Sequence, residues 1–270
     1  MDLGDPAPVG GSAVAGAGAG EDHDRSSPAI GRVQSIESCG LFDGPGIRMV
    51  VFLQGCPLRC RYCHNPDTWD GRFGTEMTVE QVVAKARQFR PFLERRGGGV
   101  TVGGGEPLLQ RRFVRGLLHA LKTEGFRTCI DTSGHAPADG LTREILSYTD
   151  LVLLDLKAMP QDHLSLTGRT IDRTLAFLDL LTDLMVPTWI RHVVVPGLTG
   201  TPAHGVWMAD LLRGRRHVER IELLPFHRMG VSKYERMGLA DPLPGIHPPT
   251  AAEMAAAAEP LRGLGIEIRA

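Results

Sequence analysis

From Ile30 onward, short runs of β-branched and apolar residues alternate with glycine-rich or polar turns and then with stretches of helical periodicity. That rhythm predicts repeated β/α units. Strands are expected at residues 49–54, 100–102, 128–131, 151–156, 188–195 and 221–224, with edge strands at 31–38 and 266–269. Thr78-Val79-Glu80-Gln81 has the form of a capping box opening a helix, whose apolar positions Val79, Val82, Val83, Ala86 and Phe89 share one face. Similar helices fit 110–124, 142–148, 172–184, 203–213 and 251–264. Six parallel strands with alternating helices suit an incomplete TIM-like barrel or a doubly wound sheet, and periodicity alone does not separate these α/β folds.

Residues 1–29 break the pattern. They hold six Gly, six Ala and three Pro, and only Met1, Leu3, Val9 and Val14 are large and apolar. Such a segment cannot bury enough surface to offset its ordering entropy, so a disordered Gly/Ala-rich tail is expected ahead of one domain at 30–270. Five acids and one base leave −4 on the tail and +3 on the remainder, and the whole 270-residue chain carries −1. That near-balance argues against nucleic acid as a partner. No apolar run approaches the roughly 18 residues that span a bilayer. The start, Met1-Asp2-Leu3-Gly4-Asp5, lacks the basic and apolar regions of a secretory signal, so the chain is expected in the cytoplasm, away from membranes. Five cysteines there read as free thiols or metal ligands before disulfides.

Three of the five form the strongest chemical signal. Cys56-Pro57-Leu58-Arg59-Cys60-Arg61-Tyr62-Cys63 is a C-x3-C-x2-C spacing directly after an expected strand, so three thiolates can face one inorganic centre from a single loop. A structural zinc ion needs a fourth ligand. His64 would have to fold back sharply to supply it, and Cys39 and Cys129 are distant in sequence. An iron–sulfur cluster is the alternative, with one iron left open to an exogenous molecule.

The spacing, with an aromatic residue before the last cysteine, resembles the radical S-adenosylmethionine (SAM) enzymes. Gly44-Pro45-Gly46-Ile47-Arg48, Phe52, Gly55, Tyr62 and Asn65 extend the likeness to the glycyl-radical-enzyme activases, the pyruvate formate-lyase type above all. It continues through Gly97-Gly98-Gly99-Val100-Thr101, Trp189-Ile190-Arg191 and Leu223-Leu224-Pro225-Phe226-His227. The resemblance implies a partial (β/α)6 TIM-like barrel, one [4Fe–4S] cluster on Cys56, Cys60 and Cys63, and SAM on the open iron. It also implies hydrogen abstraction from a glycine Cα of a pyruvate formate-lyase-like enzyme, a flavodoxin or ferredoxin as electron donor, and a monomer.

Residue by residue, Gly103-Gly104-Gly105-Glu106-Pro107 is similar to the Gly-Gly-Glu motif, in which Gly104, Gly105 and Glu106 would hold the SAM ammonium. Gly103 departs from the Ser often found there, which would remove a hydroxyl contact. The likeness places Asp155, Lys157 and His227 on the SAM ribose or carboxylate, and Tyr62 and Val193 beside the adenine. Asp131, Thr132 and Asp155 would surround a monovalent cation. Asp43, Arg48, His64 and Arg191 would dock the partner's glycine loop. Cys39 and Cys129 are expected to be small buried residues, and the three tryptophans to serve packing.

Two other readings stay open at this level. An activase of a different glycyl radical enzyme often carries an inserted domain with extra clusters, but residues 64–98 contain no cysteine. A non-enzymatic zinc-binding module would use the same three cysteines without SAM.

Overall fold

The computed structural model describes residues 29–270, so the tail expected at 1–29 lies outside the described residues but for Ala29. β1 (Ile30–Gly40), β2 (Arg48–Leu53), β3 (Thr75–Thr78), β4 (Gly99–Gly104), β5 (Thr128–Thr132), β6 (Leu151–Asp155), β7 (Thr188–Val194), β8 (Val218–Pro225) and β9 (Glu267–Arg269) form one sheet. Its order is β3-β1-β2-β4-β5-β6-β7-β8-β9, with β3 and β9 as its ends. From β2 to β9 all neighbours are parallel, whereas β1 pairs antiparallel with both β2 and β3. Helices α1 (Val79–Leu93), α2 (Arg111–Thr123), α3 (Gly140–Ser147), α4 (Pro160–Thr167), α5 (Asp172–Leu184), α6 (Pro202–Leu212), α7 (Val231–Arg236) and α8 (Ala251–Ala258) connect them.

The period-2 pattern of the strands decides between the two α/β folds. Met49, Val51, Val100, Val102, Ile130, Val152, Leu154, Ile190 and Ile221 pack with apolar side chains of α1, α2, α3, α5, α6 and α8 in one core. The alternate residues of the same strands, among them Thr101, Asp131, Asp155 and Arg191, turn to the other face. Helices therefore cover one face only, as in a barrel and unlike a doubly wound sheet. Beneath the polar positions of that inner face, Cys129, Leu151, Leu153 and Trp189 close a small apolar floor.

Local signals act as expected at α1, where Thr78 Oγ1 accepts from the Gln81 N–H and the Gln81 side chain accepts from the Thr78 N–H. The helix expected at 251–264 instead stops at Ala258 and continues as 3-10 turns over Glu259–Leu264. Pro260 has no N–H to give an α-helical bond. Three of the strands and helices were not anticipated: β3 is a four-residue edge strand with no apolar run, α4 buries only His163, Leu166 and Thr167, and α7 buries only Tyr234. No helix among the described residues is long and apolar enough to cross a membrane.

Candidate active site

β2 ends where the cysteine loop begins. Gly55 takes φ +94°, a left-handed turn suited to glycine, and its N–H donates to Thr68 O at 2.7 Å. On the outer side of the loop, Arg59 N–H donates to Thr167 O at 2.7 Å and Arg61 N–H to Leu166 O at 2.9 Å. Those carbonyls end α4 and have no partner within the helix. Leu58, Cys60 and Tyr62 pack against Val195, Phe226 and Leu243, and the Tyr62 hydroxyl donates to Lys157 O at 2.9 Å. Held this way, Cys56, Cys60 and Cys63 all line one cavity of about 330 Å³.

Burial pushes the Cys56 and Cys60 thiols up to about 12 and raises Cys63 as well. Such thiols become thiolate ligands when a metal supplies the compensating charge. Among the described residues no group of three His, Cys, Asp or Glu is arranged to hold a metal ion alone. Cys129 is fully buried in the apolar floor. Cys39, expected to be buried, is exposed on β1. The His64 ring stacks on His227 at 3.7 Å between centroids, and its Nε2 lies 3.0 Å from His227 O. The donor set thus suits a cluster with several irons better than zinc, which would want a fourth ligand.

The glycine-rich end of β4 packs straight onto this loop. Gly104 has φ +109°, and a Cβ there would lie 2.4 Å from Leu53 N; one on Gly105 would lie 2.2 Å from Gly55 O. A Cβ on Gly103 would sit 3.1 Å from Asp131 Cβ, so the missing serine accompanies a close approach of β5. Glu106 is a buried member of this run. It is 1% exposed, does not line the cavity, and its carboxylate accepts from Leu108 N–H, Thr132 Oγ1, Ser133 N–H and Ser133 Oγ. The bonds from Thr132 and Ser133 clamp the end of β4 to the end of β5, and the one from Leu108 N–H caps the turn that follows β4.

Asp43, Tyr62, His64, Gly104, Gly105, Asp131, Thr132, Asp155, Lys157, Arg191 and Val193 line the cavity. Arg191 spans three elements, with Nη1 3.0 Å from Asp131 Oδ2, Nε 3.1 Å from Glu222 Oε2, and Nη2 donating to the Phe42 carbonyl. Burial pushes Asp131 up to about 7 against the pull of Arg191, with Asp155 and Asp43 adding to the rise. Burial likewise raises Asp43. Lys157 Nζ donates to Asp155 Oδ2 at 2.8 Å. Arg48 and His227 lie outside the lining. Arg48, a docking candidate in sequence, is 1% exposed and donates to Thr101 Oγ1, Val100 O and Arg127 O, so it braces loop 43–47 from beneath. His227 Nδ1 is buried without a partner. Among the lining residues that sequence reasoning did not assign to the site are Thr68, Ser133 and Trp69. Ser133 follows Thr132 at a strand end, which was a usable signal, but Trp69 carries none that separates lining from packing.

Residues 50–203 match the model of the radical SAM superfamily. The chain belongs to that superfamily, which implies a [4Fe–4S] cluster and SAM. A pyruvate formate-lyase-activating enzyme of Clostridium pasteurianum is 47% identical over 211 residues, covering 78% of this chain and 88% of its own. Pyruvate formate-lyase 1-activating enzyme of Escherichia coli (strain K12) is 46% identical over 222 residues, covering 82% and 90%. Within the superfamily, the chain belongs to the family of pyruvate formate-lyase activating enzymes. Among solved structures, a domain of such an enzyme from Bacteroides vulgatus superposes with TM-score 0.54 at 23% identity, covering 63% of this chain and 97% of that one. A radical SAM methyltransferase from Sphaerobacter thermophilus gives TM-score 0.59 at 22% identity, covering 82% and 65%, a likeness of fold.

Proposed function

We propose that this chain activates a pyruvate formate-lyase-like glycyl radical enzyme by removing a hydrogen atom from a glycine Cα of that partner. The observation that carries the reading is the convergence of three thiols with Gly104, Asp131, Asp155 and Arg191, from four neighbouring strands, on one cavity. Residues 64–98 also favour this type, because they form β3 and α1 instead of an inserted domain with further cysteines.

When bound, the cluster and SAM supply reductive cleavage of the C5′–S bond, which yields the hydrogen-abstracting carbon radical. Cys56, Cys60 and Cys63 would hold three irons and leave the fourth to SAM. The glycine backbone at 104 and 105 approaches the site closely enough to take the SAM ammonium, with Glu106 fixing that backbone and making no contact itself. Asp155, Lys157 and His227 would meet the SAM ribose or carboxylate, and Tyr62 and Val193 would border the adenine. A monovalent cation among Asp131, Thr132 and Asp155 would relieve the carboxylate crowding that raises Asp131. Asp43, His64 and Arg191 meet the partner's loop, with Arg48 supporting Asp43 through Thr101, whose Oγ1 donates to Asp43 O at 2.6 Å. Walls that exclude water keep the radical from side reactions. The protein works as a cytoplasmic monomer and takes its electron from a flavodoxin or ferredoxin.

The test is anaerobic. Iron- and sulfide-reconstituted protein, SAM and photoreduced deazariboflavin are mixed with a pyruvate formate-lyase deuterated at glycine. The expected outcome is a glycyl radical in the partner and deuterium in 5′-deoxyadenosine. Transfer of label from a small molecule alone would replace the reading with a different radical SAM reaction.

A further inference from the structure

The cysteine loop has an outer side as well as an inner one. Under the proposed function, SAM and the partner's glycine loop occupy the inner cavity, so an electron carrier must approach from outside. There the loop walls a second concavity, a groove of about 720 Å³ bounded by Pro57, Leu109, His135, Leu164, Arg169 and Arg173. Pro57 directly follows Cys56, and Arg169 Nε donates to Pro57 O at 3.0 Å. The groove therefore lies one residue from a thiol assigned to iron.

We propose that this groove docks an acidic flavin-carrying one-electron donor, a flavodoxin, with the apolar edge of its flavin against Pro57, Leu109 and Leu164. Two observations carry this. Arg169 and Arg173 are exposed on the groove, Arg59 and Arg61 are exposed on the adjoining loop, and none of the four forms an ion pair among the described residues. Many other arginines of the chain are paired, Arg111 with Asp139 at the groove's own edge included. Asp172 is the exposed carboxylate of the lining, and Glu106 is consumed by its own hydrogen bonds. After burial, Arg173 and Arg169 are what depress His135, so their charges converge on the groove. The second observation is apolar: Leu109 and Leu164 are 55% and 57% exposed inside this basic frame. An uncompensated positive rim draws an acidic partner and sets its association rate, and an apolar centre takes a flat ring edge. In the transfer itself one electron leaves the reduced flavin and the cluster passes from its 2+ to its 1+ state; no bond forms or breaks.

This docking rests on the proposed function only for the direction of approach, and its test reads binding first. Oxidised flavodoxin is titrated calorimetrically into the cluster-loaded protein. For Arg169→Glu/Arg173→Glu, Kd is expected to rise by about tenfold or more, and the salt dependence of binding to flatten. Reduction of the cluster by flavodoxin hydroquinone, followed by stopped-flow absorbance, should slow by a similar factor, while reduction by photoreduced deazariboflavin stays unchanged. Arg173→Glu alone, which does not touch the cysteine loop, should show a smaller change of the same kind. Unaltered flavodoxin affinity, equal slowing with both reductants, or tighter binding of a ferredoxin overturns the proposal. Absence of a glycyl radical from the deazariboflavin-reduced wild type is a failure of the proposed function alone, and the Kd comparison still decides the docking.

Discussion

Replacing Glu106 by Gln separates a structural clamp from a direct ligand of SAM. Oε1 accepts from Leu108 N–H at 3.0 Å and Thr132 Oγ1 at 2.6 Å, and Oε2 accepts from Ser133 N–H at 2.9 Å and from Ser133 Oγ. A hydroxyl can turn to accept from an amide, but a backbone N–H cannot. Each carboxylate oxygen faces one such N–H, so either orientation of Gln puts its NH₂ against a backbone donor. One buried donor left unsatisfied costs about 1–3 kcal/mol, and loss of charge assistance in the remaining bonds adds about 1–2 kcal/mol. At about 2–4 °C per kcal/mol for a domain of this size, the melting temperature should drop by roughly 10 °C. Scanning calorimetry under anaerobic conditions reads the stability, and equilibrium dialysis reads SAM affinity. Intact stability combined with lost SAM affinity would refute the clamp and return Glu106 to the ligand role that the Gly-Gly-Glu resemblance implied.

Cys56→Ala, Cys60→Ala and Cys63→Ala should each abolish SAM cleavage and lower iron content, whereas Cys39→Ala should leave both intact; full iron in Cys60→Ala contradicts the assignment. Gly104→Ala should fail to assemble the site, since its Cβ would meet Leu53 N at 2.4 Å, and soluble protein with wild-type SAM affinity counts against that packing. Acid should destabilise the fold early: burial depresses His64, His135, His163, His192 and His217 and brings His204 down to about 4. With unfolded values near 6.5, the unfolded chain binds more protons as pH falls from about 6.5 towards 4, so stability present above that window is lost on the descent. Raised Asp131 and Asp43 work in the opposite sense and are outnumbered. A melting temperature that is flat or rising between pH 7 and pH 5 contradicts this, and His204→Gln should flatten the fall.

Most of the parallel strands and helices were legible because β2, β4, β5, β6 and β7 carry buried apolar runs and each long helix an apolar stripe. β3 was not, because Thr75-Glu76-Met77-Thr78 has no buried position and pairs only at an edge. The cysteine loop and the polar strand ends were legible as residue types at spacings that chemistry uses. Their directions were not. Glu106 and Arg48 carry charges that sequence assigns most readily to a ligand, yet both are spent on neighbouring strands, a fact fixed by sheet register and hidden in a linear reading. Trp69 shows the converse: a residue assigned to packing ends on the cavity wall because the turn after the cysteine loop folds back on Gly55 and Cys56.

The bonds from Arg59 and Arg61 to the last carbonyls of α4 have a consequence for repair. The loop's backbone is moored to a helix end and to an apolar cluster, neither of which involves the inorganic core. A protein that loses its iron and sulfide should therefore keep the empty mould, with the three thiols still gathered. Refilling then asks only for metal, sulfide and reductant, and damage to the cofactor need not condemn the chain to be remade.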